Sequence, residues 1–187
     1  MSRGRPKPIR SAVSTSEPSA LPAASPAGRA EGPKRPARSS ASAWGDRPVA
    51  AKALADTGAL LAYMDRSDRW HERCRAALTE LRLPLVTSLA VLTELFHLVG
   101  DNPREVEAAW GFVRSGALKV LPLSDLELAD LEALMRRYRD RPMDLADATL
   151  VHLAERESVS TVFTIDHNDF ETYRIGGRKR FRILPAR

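Results

Sequence analysis

The sequence predicts an α/β protein built on a parallel sheet of about five strands, preceded by a segment that lacks any pattern for folding. Three observations carry this. From residue 49 onward, apolar runs of five to seven residues alternate with helix-periodic stretches, which implies a parallel sheet covered by helices on both faces. Residues 1–48 are rich in Pro, Ser and Ala without apolar periodicity, so burial cannot offset their ordering entropy. Acidic residues recur just past the apolar runs, at the carboxyl edge where ligands bind in such sheets.

The elements follow in order. "VAAKALA" (49–55) reads as the first buried strand, ending at Asp56, and "TGALLAYMD" as a short helix. "SDRWHERCRAALTELR" (67–82) places Trp70, Cys74, Ala77, Leu78 and Leu81 at helical spacing. "LPLVT" (83–87) is the second strand; Ser88 is positioned to cap "LAVLTELFHLVG", which Gly100 ends. A helix over 103–116 has Pro103 in its first turn and Gly116 at its end. "ALKVLPL" (117–123) is the third strand, and Ser124 with Glu127 forms a capping box for a helix reaching about Tyr138. "MDLADATLVHLAERE" (143–157) is an amphipathic helix after Pro142. "TVFTID" (161–166) and "RFRILP" (180–185) complete the sheet.

The net charge of +5 divides unevenly. Residues 1–50 hold nine Lys or Arg against three acids, +6, and the remainder holds 20 against 21, −1. The domain boundary is expected near Pro48: a disordered basic tail over 1–48 and a folded domain over 49–187. The tail is able to bind polyanions nonspecifically, but a solvated leader, or a true start nearer Val49, accounts for it as well. The single cysteine, Cys74, excludes an internal disulfide framework and a cysteine-based zinc cluster, and is compatible with the cytoplasm. No apolar run is long enough to span a membrane.

The chemistry lies in the acids. Asp56 directly follows strand one and Asp166 ends strand four, so both carboxylates face one edge of the sheet. Glu94 interrupts an apolar helix; Asp144 and Asp147 are three apart on one helix face; Asp169 follows Asp166. Buried carboxylates persist only when paired or metal-bound. Several converging on one point repel each other unless a divalent cation intervenes, and hard oxygen donors suit Mg²⁺ or Mn²⁺. Each acid also has a plainer reading. Asp56 and Asp144 suit helix N-caps, Asp147 favours a helix dipole from the first turn, Glu94 snorkels from a half-exposed helix, and Asp166 with Asp169 forms an Asx-type turn.

The order of an apolar strand then Asp56, Glu94 within an apolar helix, "DLADATLVHLAE" with Asp147, and "TVFTIDHNDF" with Asp166 resembles the PIN-domain nucleases, most of all the VapC-type ribonucleases of bacterial toxin–antitoxin pairs. The resemblance spans roughly residues 52–185. It implies a three-layer α/β/α domain, Mg²⁺-dependent cleavage of RNA, and Asp56, Glu94, Asp147 and Asp166 as the metal-binding, catalytic acids. Asp144 and Asp169 rank second, and Thr164 matches a hydroxyl that orients an acid or a water. It further implies a homodimer and, for a toxin, a cognate antitoxin whose Arg or Lys fills the acidic pocket. A PIN nuclease of RNA processing without an antitoxin, and a noncatalytic binding module of the same fold, are the alternatives.

Asp56-Thr57-Gly58 also spells the nucleophilic triplet of aspartic proteases, but those enzymes need two triplets in an all-β frame, and one occurs here, before a helix former. His71, His97, His152 and His167 show no metal-ligand spacing and are expected to be structural or surface residues. Two basic clusters, Arg136, Arg137, Arg139 and Arg141, and "GGRKR" (176–180), are candidates for RNA phosphate contact or for plain solvation.

Overall fold

The computed structural model describes residues 53–187 apart from Pro142. The tail expected over 1–48, and the start of the first strand, lie outside the described residues. Five parallel strands form one sheet in the order β3-β2-β1-β4-β5: β1 (Leu54–Ala55), β2 (Leu85–Ser88), β3 (Leu118–Leu121), β4 (Thr161–Phe163) and β5 (Arg182–Leu184). The helices are α1 (Thr57–Met64), α2 (His71–Glu80), α3 (Leu89–Val99), α4 (Pro103–Arg114), α5 (Leu128–Arg137), α6 (Leu145–Arg156) and α7 (His167–Phe170).

The strand pleat sorts the core into two layers. Leu54 pairs with Val86 and Val162, and these side chains enter one apolar cluster with Leu131, Leu150, Leu153, Phe170 and Tyr173. Ala55, Leu85 and Phe163, one residue out of phase, point into the other with Leu60, Cys74, Leu95 and Ala109. Both faces are therefore covered, as buried central strands of a parallel sheet require. Full burial of each large side chain contributes roughly 1.5–3 kcal/mol.

Local chemistry sets most boundaries where the patterning expects them. The Ser88 hydroxyl accepts the Val91 N–H at 3.2 Å and starts α3. Asn102 caps α4 by accepting from Arg104 N at 3.1 Å. The Ser124–Glu127 capping box forms, with Ser124 N donating to Glu127 at 2.7 Å, although the first turn over Asp125–Glu127 is a 3-10 turn before α5 proper.

Most other ends shift by one or two residues, and two boundaries differ by more. Helix α2 begins at His71, not Ser67, because the Asp65 and Asp68 carboxylates accept from Ser67 N at 2.8 Å and Trp70 N at 2.6 Å and hold these residues in turns. Strand β4 ends at Phe163 rather than Asp166. The chain leaves the sheet after Phe163, and Asp166 caps the one-turn helix α7, which the patterning did not predict. Among the described residues, no helix is long and apolar enough to cross a membrane.

Candidate active site

Asp56 sits where β1 gives way to α1. Its backbone N–H donates to Phe163 O at 3.0 Å, tying it to the neighbouring strand β4. Its Oδ1 accepts from Thr57 N at 2.7 Å, and its Oδ2 accepts the Thr164 hydroxyl at 2.6 Å. Asp56 is thus both the α1 cap and a buried acid at the sheet edge; the two readings coexist. Burial pushes its carboxyl up to about 6, against the two hydrogen bonds, with help from the charges of Glu94 and Asp166.

Glu94 is held from α3 by the Thr57 hydroxyl, which donates to its Oε2 at 2.8 Å. Thr57, the middle residue of the protease-like triplet, therefore aligns two acids. Its backbone serves Asp56 and its hydroxyl serves Glu94. Thr164 plays a similar double part, donating to Asp56 and accepting from Asp166 N at 2.9 Å. Since β4 has already ended, Thr164 reaches both acids from the turn that follows the strand.

Asp147 lies in the first turn of α6. Its N–H is capped by Asp144 Oδ1 at 2.8 Å, so Asp144 is the α6 N-cap. The Asp147 Oδ2 accepts the Tyr173 hydroxyl at 3.0 Å. Burial, then the charges of Asp144 and Asp56, push the Asp147 carboxyl up to about 8, with Tyr173 opposing and Asp169 adding. Asp166 caps α7 by accepting from Asp169 N at 3.0 Å. The Asp169 carboxyl is raised by burial and by Asp166, with Arg141, 3.9 Å away, opposing.

The six acids thus form one electrostatically coupled group: Asp56 feels Glu94 and Asp166, and Asp147 feels Asp144, Asp56 and Asp169. Asp56, Glu94, Asp144, Asp147 and Asp166 form no ion pair with any described Lys, Arg or His. The donor set is all carboxylate and hydroxyl oxygen, which fits a hard divalent cation. No three His, Cys, Asp or Glu side chains among the described residues are grouped tightly enough to ligate one ion together. An ion that takes only one or two carboxylates and keeps its water does not need such a group.

Tyr173 was not foreseen. It is fully buried, packs edge-to-face against Tyr138 from a distant part of the chain, and its hydroxyl reaches Asp147. His167 is buried with its ring nitrogens 3.0 Å from Ile165 O and 2.9 Å from Pro185 O, a structural position. His152 binds Glu127 at 2.8 Å on the far side of α6. Of the first basic cluster, Arg141 reaches the site's edge, donating to Asn168 O at 3.0 Å and Thr172 Oγ1 at 2.8 Å. With Arg174, Arg180 and Arg187 it lines a polar basin of about 640 Å³ beside Asp169.

The family model of the PIN domain matches residues 53–175. The chain belongs to the PIN domain family. Among curated proteins it is 32% identical over 135 residues to ribonuclease VapC26 of Mycobacterium tuberculosis, a match covering 71% of this chain and 99% of that protein. Among solved structures it is similar in fold to VapC20 of Mycobacterium tuberculosis, described as a toxin that cleaves the sarcin–ricin loop. That match has a TM-score of 0.56 and 18% identity, covering 61% of this chain and 89% of the other. The PIN domain fold accounts for the five-stranded parallel sheet.

Thr164→Val keeps the shape of the side chain and removes both of its hydrogen bonds. The Asp56 carboxyl is expected to titrate higher still than about 6, and the fold to lose roughly 1–3 kcal/mol. Carboxyl-carbon NMR titration of Asp56 is the check; an unmoved titration midpoint would show that Thr164 does not hold this acid.

Proposed function

We propose that this chain is a divalent-cation-dependent endoribonuclease of the cytoplasm, the toxin of a toxin–antitoxin pair. One observation carries the reading: acids just after β1, on α3, on α6 and in the β4–α7 turn are linked by the hydroxyls of Thr57 and Thr164 and by their mutual charges, with no ion pair to a described Lys, Arg or His. The ribonuclease relative, matched over nearly its whole length, supports the same activity. Asp56 and Asp147 would hold Mg²⁺, or Mn²⁺ in its place, directly or through water, with Glu94 and Asp166 completing the pocket. When bound, the cation polarises the scissile phosphate and lowers the pKa of a coordinated water.

The chain's own residues supply orientation. Thr57 and Thr164 fix both oxygens of Asp56, Thr57 fixes Glu94, and Tyr173 fixes one oxygen of Asp147. Asp147 Oδ1, Glu94 Oε1 and Asp166 Oδ2 have no protein hydrogen bond among the described residues and remain free to accept from water or to bind an ion. Asp144 and Asp169 add negative potential from the rim, and Asp144 sets the start of α6.

The catalytic unit is taken as residues 49–187, with 1–48 as an accessory basic leader. A homodimer fits the exposed leucines on packed helices: Leu89 on α3, Leu128 on α5 and Leu145 on α6, with α6 packing against both others. An antitoxin presenting Arg or Lys to the acids would neutralise the pocket in place of metal.

Purified protein is expected to cleave RNA with Mg²⁺, to stop in EDTA, and to resume when Mg²⁺ or Mn²⁺ is restored, leaving 5′-phosphate and 3′-hydroxyl ends. Cleavage that persists unchanged in EDTA would overturn the reading.

A further inference from the structure

The proposed cleavage site has a second cavity on its other flank, of about 540 Å³, within the range of roughly 300–1,000 Å³ that small ligand sites occupy. Its walls are Trp70 and Arg73 from the start of α2, Ile165 and Asp166 from the turn after β4, His167 and Asn168 from α7, and Arg187 at the C-terminal end. One of the candidate catalytic acids, Asp166, is therefore part of its wall.

Trp70 stands at the α2 N-cap position, where a small polar side chain is preferred, and it makes no cap hydrogen bond. The turns formed by Asp65 and Asp68 hold it there. The ring is half-buried against the apolar layer of α1 and α2 and lies 5.4 Å from the His167 ring at 31°. The Arg73 guanidinium sits 5.0 Å from the ring centroid, near the outer limit of about 6 Å for a cation–π contact. Arg73 is itself exposed, so it is free to swing aside or to close over an inserted group. The indole N–H has no protein partner among the described residues and is not sealed from solvent.

Arg187 and Asn168 line this cavity and the arginine-rich basin alike, and they are hydrogen-bonded to each other at 2.7 Å. A strand crossing Asp166 thus meets an aromatic slot on one side and a basin holding Arg141, Arg174, Arg180 and Arg187 on the other. That is the composition of a single-stranded nucleic-acid track: π-faces for bases, guanidinium groups for phosphates.

We propose that Trp70 and Arg73 form a nucleobase-stacking subsite next to the scissile phosphate. An unpaired base of the RNA stacks on the indole, with Arg73 covering it or reaching the neighbouring phosphate. Arg187 holds the backbone between this slot and the arginine basin. This rests on the ribonuclease reading and adds to it a positioning device. The stacked base is out of any duplex, so the RNA is engaged where its bases are splayed. Stacking accepts every base, so the slot sets register more than sequence.

The test uses the full chain in EDTA, with Trp44→Phe and Trp110→Phe leaving Trp70 as the sole indole. A single-stranded oligoribonucleotide, the same sequence closed into a duplex, and inorganic polyphosphate are titrated, with binding followed separately by ultracentrifugation. The single strand is expected to quench Trp70 fluorescence as it binds, while bound polyphosphate and bound duplex leave it unquenched. Trp70→Phe should bind the single strand within about threefold of wild type and Trp70→Ala roughly 5- to 150-fold more weakly, the effect of one stacked base. Single-stranded RNA that binds without changing Trp70 fluorescence overturns the subsite and leaves the ribonuclease reading standing. Quenching as strong with polyphosphate as with RNA also overturns it, since no base is then required. No RNA binding at all overturns both. The fluorescence arm does not depend on Trp70→Ala folding.

Discussion

Asp147→Asn is expected to reduce metal-dependent RNA cleavage on the order of 10³-fold while leaving RNA affinity in EDTA unchanged or higher. The magnitude is that of removing one preorganised electrostatic group from a site. Asp147 is a cleaner target than Asp56. Asp56 accepts from both Thr57 N and Thr164, so an amide there would set a donor against a donor. Asp147 accepts a single side-chain bond, from Tyr173, and the carbonyl of an Asn can accept it. The variant should therefore fold, lose a charge and little else. Titration calorimetry should show Mg²⁺ binding severely weakened, and RNA anisotropy in EDTA should show no loss, because phosphates are repelled by the acids. Wild-type Mg²⁺ affinity in the variant would remove Asp147 from the cation's surroundings.

The alternation of strands and helices was legible because each strand lies in a short, mainly apolar run and most helices begin at a recognisable cap. Ser88 and the Ser124–Glu127 box mark two of these starts, and Pro103 marks a third, where Asn102, not singled out in the sequence, supplies the cap oxygen. What escaped was short or long-range. Helix α7 is a single turn, too brief for any periodicity, and its "D-x-x-D" start also spells an isolated Asx turn. The start of α2 was obscured because 67–70 continue the helical spacing, while Asp65 and Asp68 compete for the backbone N–H groups.

In the candidate site, the acids themselves could be picked out because charge inside apolar segments needs a reason. Their supports could not. Tyr173 is 26 residues from Asp147 and looks like any core aromatic. Thr57 looks like an ordinary first-turn residue until α3 packs Glu94 against it. The plainer cap readings of Asp56 and Asp144, and the Asx-type turn expected of Asp166 with Asp169, leave the proposed site role open to the same acids. Each of these acids caps a helix, and the cap bond holds one carboxylate oxygen of each at the helix start.

The same substitution is expected to stabilise the metal-free protein, and in a pH-dependent way. The Asp147 carboxyl is raised from 3.8 to about 8 in the folded state. Between those values the unfolded chain has released the proton that the folded chain retains, so the folded state binds more protons. Wild-type stability from this group is therefore fully present below about pH 4 and is lost as pH rises toward 8. Asp56, raised to about 6, adds a loss of the same sign in its own window. Asn at position 147 has no proton to lose. In EDTA the variant should match wild type near pH 4 and exceed it increasingly up to about pH 8. The gain there should be on the order of 2 kcal/mol, less than the full shift would give because water reaches this half-buried carboxylate. For a domain of this size that is a rise in Tm of roughly 5–10 °C. Mg²⁺ should narrow the difference at pH 8 by stabilising wild type alone, since it binds the ionised pocket and releases protons on binding. Thermal melts of both proteins at half-unit pH steps, with EDTA and with Mg²⁺, provide the measurement. A Tm difference that stays flat from pH 4 to 9 in EDTA would mean that Asp147 is no more strained by its neighbours than a surface aspartate, and the crowded acidic pocket would lose its electrostatic basis.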